Sequence, residues 1–211
     1  MEKFWLRIEF LFIFITLPLL GYLNPEHISP IPVLIAVLSY VFILSLRHKK
    51  IRKKNIFTLH RHHHKLLNGI YNRILVSLII MMMAILFYDH YLIFKMIFKD
   101  PLLWMILLFV YPVFSVIPQE IIFRSFFFAR YKKIFQRYTL VFMSAASFSF
   151  SHIIFENWIA IIFTFIGGLY FAVSYHETKS LLIVVVEHSI YGLFLYTIGF
   201  GEFFDFNAMH G

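Results

Sequence analysis

The chain contains no cysteine. Disulfides, thiolate metal ligands, a cysteine nucleophile and S-acylation are therefore excluded, and the redox compartment is left open. Charge is scarce as well. Only 14% of the 211 residues are Asp, Glu, Lys or Arg, too few to cover a soluble domain of this size. No linker, internal repeat or second domain is apparent, and the lack of inverted repeats argues against a small transporter or proton-coupled carrier. Glu2 and Glu9 interrupt the positive region at the start, and no small-x-small cleavage site follows. Met1–Leu23 thus reads as a retained first helix rather than a signal peptide. No serine or threonine stands beside a base in the pattern of a nucleophile, so a covalent mechanism has little support.

What is present is apolar bulk: 61% hydrophobic residues, 20% aromatic, with 28 phenylalanines. The expected fold class is all-α, a polytopic membrane bundle of seven to eight transmembrane helices forming a single membrane-embedded domain over 1–211. Apolar windows fall at about 8–23, 31–46, 74–92, 102–117, 138–156, 158–175 and 180–200. The stretch 118–137 reads as amphipathic, opening after Pro118 and carrying Arg124, Arg130, Lys132, Lys133 and Arg137, and it is the candidate eighth, partly inserted helix.

The net charge of +8 is concentrated rather than spread. Arg47, Lys49, Lys50, Arg52, Lys53, Lys54, Arg61 and Lys65 make one loop the densest positive run. The positive-inside rule places that loop in the cytoplasm, and with it the N-terminus, the basic stretch 130–137 and the turn His176–Lys179. The tail Gly201–Gly211 then lies outside. The basic loop points to anionic lipid, so the expected partner is the bilayer and no nucleic acid. His60, His62, His63 and His64 can bind metal in principle, but neighbouring Arg61 and Lys65 repel a cation, and a hydrated basic loop is the simpler reading. Glu202, Asp205 and His210 likewise read as solvated tail.

Three ionisable clusters sit inside apolar segments, where each charged side chain costs roughly 2.5–3.5 kcal/mol on insertion scales unless it has a partner or a task. In Gln119-Glu120-Ile-Ile-Phe-Arg124 the carboxylate and guanidinium are four apart and share a helix face. That pair is either a helix-end ion pair or part of a site. His152 closes Phe148-Ser-Phe-Ser-His152, after the small-residue run Ser144–Ser147 that suits close helix packing. It is either a hydrogen-bonded core histidine or a catalyst. Glu156 and Asn157 read as the interfacial end of that helix. In Glu187-His188-Ser-Ile-Tyr191-Gly192 the two ionisable groups point about 100° apart, so one at most faces a common centre, and His188 is the better candidate. One carboxylate and two histidines on three helices match the parts needed to activate water. They can do so directly or through a divalent metal such as zinc, and the metal is left unknown.

With these residues in view the sequence resembles the CPBP (Abi, CAAX protease-like) family of intramembrane endopeptidases. Its pattern is Glu-Glu-x-x-x-Arg, then Phe-x-x-x-His, then His-x-x-x-Asn or a variant, each on a separate helix. Here Gln119, Glu120 and Arg124 fit the first, Phe148 and His152 the second, and His188 with Gly192 the third, a motif region of 118–192. The resemblance implies hydrolysis of a peptide bond in a membrane-associated protein or peptide. It assigns Glu120 and His152 to the water, His188 to the oxyanion, and Gln119, Arg124 and Phe148 to support, in a bacterial inner (plasma) membrane. Whether members use a metal or act as glutamate peptidases stays open. Two departures stand out. Gln119 can hydrogen-bond a water but cannot take its proton, and Gly192 leaves the third motif without an amide. The alternative they motivate is a non-catalytic member acting as an immunity or scaffold protein.

Overall fold

The computed structural model describes residues 2–47 and 64–204. His60, His62 and His63 of the basic loop, and Asp205 and His210 of the tail, lie outside the described residues. Among the described residues every element is helical and no strand occurs. The described residues contain seven long helices: α1 (Glu2–Leu23), α2 (Pro30–Arg47), α3 (His64–Tyr88), α4 (Pro101–Tyr131), α5 (Arg137–Phe150), α6 (Trp158–Thr178) and α7 (Leu181–Ile198). Six helical segments are long and apolar enough to cross a membrane, with Pro30–Leu44 a shorter seventh. The protein is an integral membrane protein.

The count of seven arises because 118–131 is not a separate amphipathic helix. It continues 102–117 as the second half of α4, and it is the most enclosed part of that helix: Glu120 and Ile122–Phe128 are all buried. Its basic residues are not spread along one face. Arg124 turns inward, while Arg130, Lys132 and Lys133 gather at the far end. The first half of α4 is the reverse, with Leu102, Phe109, Val113 and Phe114 exposed towards lipid. Pro118 marks the changeover without breaking the helix. It has no N–H for the carbonyl of Phe114, and the turn before it, Tyr111–Val116, widens to a π-turn in which Ile117 N–H reaches back to Pro112 O. The same device recurs in α1, where Pro18 follows a π-turn at Phe12–Thr16. A third π-turn, Ile121–Phe126, carries Arg124.

Helix α3 begins about ten residues before the apolar window at 74. Its polar opening looked like loop, yet Arg73 sits inside the helix and bonds Glu187 Oε1 on α7 (2.5 Å) and Ser174 Oγ on α6 (2.6 Å). Glu156, with φ of 51°, and Asn157, whose side chain caps α6 by accepting from Ile159 N–H, form the tight turn between α5 and α6. The helix-end reading of this pair holds.

One end of the bundle is fastened by charge. Arg130 on α4 donates twice to Glu9 on α1 (2.9 and 2.7 Å), and Tyr40 and Tyr131 donate to the same carboxylate. Lys133 pairs with Glu2, and Arg137 Nε donates to His176 Nε2 (2.9 Å). The ends of α1, α2, α4, α5 and α6 named as cytoplasmic from the sequence therefore share one face. Beneath it, Phe10, Phe14, Phe126, Phe127 and Tyr131 interlock edge to face, and Phe123 meets Phe14 at a tilt. Helix α7 runs through the middle of the bundle and is the most buried span.

Candidate active site

The second half of α4 brings Glu120 and Arg124 into the centre one turn apart, both fully buried. Glu120 Oε2 lies 3.3 Å from Arg124 Nε, close enough for an ion pair but poorly aligned as a hydrogen bond. The guanidinium finds further acceptors. Its NH1 donates to Ser144 Oγ (3.0 Å) and Phe123 O (3.3 Å), and its NH2 to Gly168 O (3.4 Å). Ser144 belongs to the small-residue run, and its second task is now visible, because it accepts from Arg124 and donates to Phe123 O (2.7 Å). Gly168 lets α6 come this close, since a Cβ there would lie 3.3 Å from the Ala145 backbone and 3.1 Å from Phe148.

The other Glu120 oxygen, Oε1, is 2.8 Å from His188 Nδ1 on α7. A carboxylate accepts, so Nδ1 carries the proton and Nε2 faces away from the pair. Phe171 stacks on the imidazole at 4.5 Å between centroids and 19° between planes, and Phe148 meets it edge-on. The ring is thereby fixed on three sides. On the fourth, Nε2 lies 3.4 Å from the hydroxyl of Tyr111. Glu187 points elsewhere and belongs to Arg73, in keeping with the 100° between neighbours on a helix.

His152, at the end of α5, does not touch the Glu120–His188 pair. The Phe148 ring contacts both histidines, 4.7 Å from His152 and 5.5 Å from His188 between centroids. His152 Nδ1 is 2.7 Å from Phe148 O, and a carbonyl can only accept, so here too the proton sits on Nδ1 and Nε2 is left to act as a base. His152 lines a cavity of about 330 Å³ bounded by α1, α2, α4 and the α5–α6 turn, with Ser115, Gln119 and Ser151 among its few polar groups. A smaller chamber adjoins it, in which Tyr111, Ser115, Gln119, His152, Gly192 and Tyr196 meet. Among the described residues neither lining includes a carboxylate.

The structure thus pairs Glu120 with His188, and sets Gln119 and His152 in the lining of the same cavities, the smaller of which Tyr111 shares. Gln119 donates to Ser115 Oγ (3.0 Å). Tyr111, Ser115 and Gln119 recur at every fourth residue, a polar face within an apolar helix; that spacing was the available signal for Tyr111, which the sequence reading passed over. The donor set does not fit a metal ion held by Glu120, His152 and His188. Glu120 and His188 spend their facing atoms on each other, and among the described residues no group of three His, Asp or Glu side chains is placed to hold one.

The sequence model of the type II CAAX prenyl endopeptidase Rce1-like family matches residues 101–194, somewhat under half of the chain. The motif-bearing segment is similar to this family. The match runs from the start of α4 to within α7, and takes in all three motifs. No curated protein and no solved structure matches the chain. The Rce1-like segment therefore supplies Gln119, Glu120, Arg124, Phe148, His152, His188 and Tyr111, while the Rce1-like match leaves α1 and α2, which wall the larger cavity, outside it.

Proposed function

We propose that the chain is an intramembrane endopeptidase of the CAAX type, hydrolysing a peptide bond of a membrane-associated protein or peptide. The observation that carries this reading is the cavity in which His152, with Nε2 as its basic nitrogen, faces Gln119 against largely apolar walls. Water held by the Gln119 amide gives a proton to His152 Nε2 as it attacks the scissile carbonyl. Glu120 acts one step removed: it fixes the tautomer and angle of His188, and balances Arg124 in a medium where neither charge is tolerated alone. His188 lies on the side where the oxyanion develops. The basic face, with Arg130, Lys132, Lys133, Arg137 and Lys179, is cytoplasmic, and so is the N-terminus.

Gln119 favours a second reading, a non-catalytic family member, because an amide stands where the family pattern has a carboxylate and, among the described residues, no other carboxylate lines the cavity. The two separate in proteoliposomes supplied with a farnesylated peptide ending in a CAAX sequence. A peptidase cleaves it, loses about 100-fold or more in rate on His152→Ala, and gains rate on Gln119→Glu, which places a carboxylate beside His152. Absence of cleavage by both the natural sequence and Gln119→Glu sinks the peptidase reading for this substrate class.

A further inference from the structure

We infer that the Tyr111 hydroxyl takes the place of a polar side chain at position 192 and presents the oxyanion donor to the cavity; the inference rests on the peptidase reading. Position 192 lies one turn after His188 on α7, where a side chain would reach the space beside the imidazole. The residue there is Gly192, and the space is not empty. A Cβ built on Gly192 would fall 2.0 Å from Tyr111 Oη, 2.4 Å from Cζ and 2.5 Å from Cε1. No side chain fits while Tyr111 is where it is, so the glycine and the tyrosine are one arrangement. The phenol enters from α4, across the bundle, and its oxygen ends 3.4 Å from His188 Nε2.

The π-turn explains how it gets there. Tyr111 opens the widened turn Tyr111–Val116, in the part of α4 where neighbouring Phe109, Val113 and Phe114 face lipid. Tyr111 instead lies inward, its ring edge-on to Tyr196 at 5.5 Å between centroids. It shares the small chamber with Gln119 and His152, whereas His188 does not line that chamber and opens on a different, nearly apolar cavity of about 210 Å³. Tyr111 thus lies within hydrogen-bond reach of His188 and also lines the space occupied by His152. A hydroxyl has one proton and two lone pairs. With His188 doubly protonated, Nδ1–H bonded to Glu120 and Nε2–H to Tyr111, the phenol oxygen accepts from the imidazolium and its own proton is free to donate into the chamber, which extends the chain Arg124–Glu120–His188 to a developing oxyanion. The donor is neutral, already oriented and shielded from water, the conditions under which such a hydrogen bond contributes most to rate.

Three variants and two readouts test this. Tyr111→Phe keeps the ring and removes the donor; it is expected to lower kcat on the farnesylated peptide by about 100- to 1,000-fold with KM nearly unchanged. Tyr111→Ala with Gly192→Asn empties the space and fills it with an amide, and is expected to recover most of that loss. Gly192→Asn alone collides with Tyr111 and is expected to lower thermal stability in detergent. Wild-type kcat in Tyr111→Phe would overturn the inference and leave the peptidase reading standing. A folded Tyr111→Ala/Gly192→Asn protein as slow as Tyr111→Phe would also overturn it. The second readout needs no turnover: the ¹⁵N resonance of His188 Nε2 in micelles should move in Tyr111→Phe while that of His152 stays. If no peptide is cleaved at all, the peptidase reading falls, and an unmoved His188 resonance then removes the Tyr111 contact with it.

Discussion

Arg124 is a guanidinium with no exposed surface, placed among Phe123, Phe148 and Phe171. It persists because its two terminal nitrogens meet acceptors and aromatic faces flank it, with Glu120 supplying the opposite charge 3.3 Å from Nε. Removing one member of such a pair leaves the other uncompensated, which typically costs 3–5 kcal/mol. Glu120→Ala should therefore lower unfolding free energy by about that amount, whereas Glu120→Leu with Arg124→Met should cost much less. Denaturation by mixed micelles, following tryptophan fluorescence, would measure both; equal losses in the single and double variants would mean that the pair is not coupled. The sequence made this pair legible through its spacing of four. It made His188 legible as the better partner of two adjacent ionisable groups. That Glu120 bonds His188 rather than sharing a water with His152 was not legible, because the order of residues on α4 does not say which neighbour stands on which side. The Phe148 ring, counted in the motif, packs against both histidines.

At the scale of elements, the packing depends on polar ties that cross between helices. Arg73 joins α3 to α6 and α7 through Ser174 and Glu187, and lies over the Tyr170 ring at 4.8 Å. Glu187 is 1% exposed, so its charge depends on this partner. Arg73→Ala is expected to cost about 3 kcal/mol, detach α3, and leave α5–α6 packing intact, since that interface rests on Ala145, Gly168 and Ser149. Hydrogen exchange resolved by peptide would show faster exchange in α3 alone; uniform acceleration over the bundle would refute the tie. The Arg73 contact was hidden by composition, since a lone arginine at the edge of a basic loop looks like more of the loop. Helix α4 misled in a different way. A proline followed by scattered cations suggests a new amphipathic helix, yet a π-turn absorbs the missing N–H and lets the chain run on. Periodicity at 3.6 residues cannot register such a turn, because each one shifts the inward face of everything after it.

For the whole molecule, charge separates by end. Arg130, Lys132, Lys133, Arg137 and Lys179 meet at one face with Lys3 and Arg7, while the turns at the other carry Lys95 and Lys99 against Glu26, Asp89, Asp100 and Glu156. Seven helices between these faces put the N-terminus and the end of α7 on opposite sides. His152 and the mouth of the larger cavity, near Gly21, Ile28, Pro30 and Phe155, lie towards the less basic face. Orientation is proposed from the run of cations alone, because the rule depends on composition at helix ends and not on how side chains interlock. It also has a direct consequence for catalysis: a peptide would meet His152 from the side opposite the basic loop. The absence of cysteine makes this measurable without a background. Glu26→Cys and Lys132→Cys each introduce one thiol at an exposed turn, on opposite faces. In intact bacterial spheroplasts a membrane-impermeant maleimide should label Cys at position 26 and spare Cys at position 132 until the membrane is permeabilised. The reverse pattern would invert the assignment and bring the His152 side of the cavity to the cytoplasm.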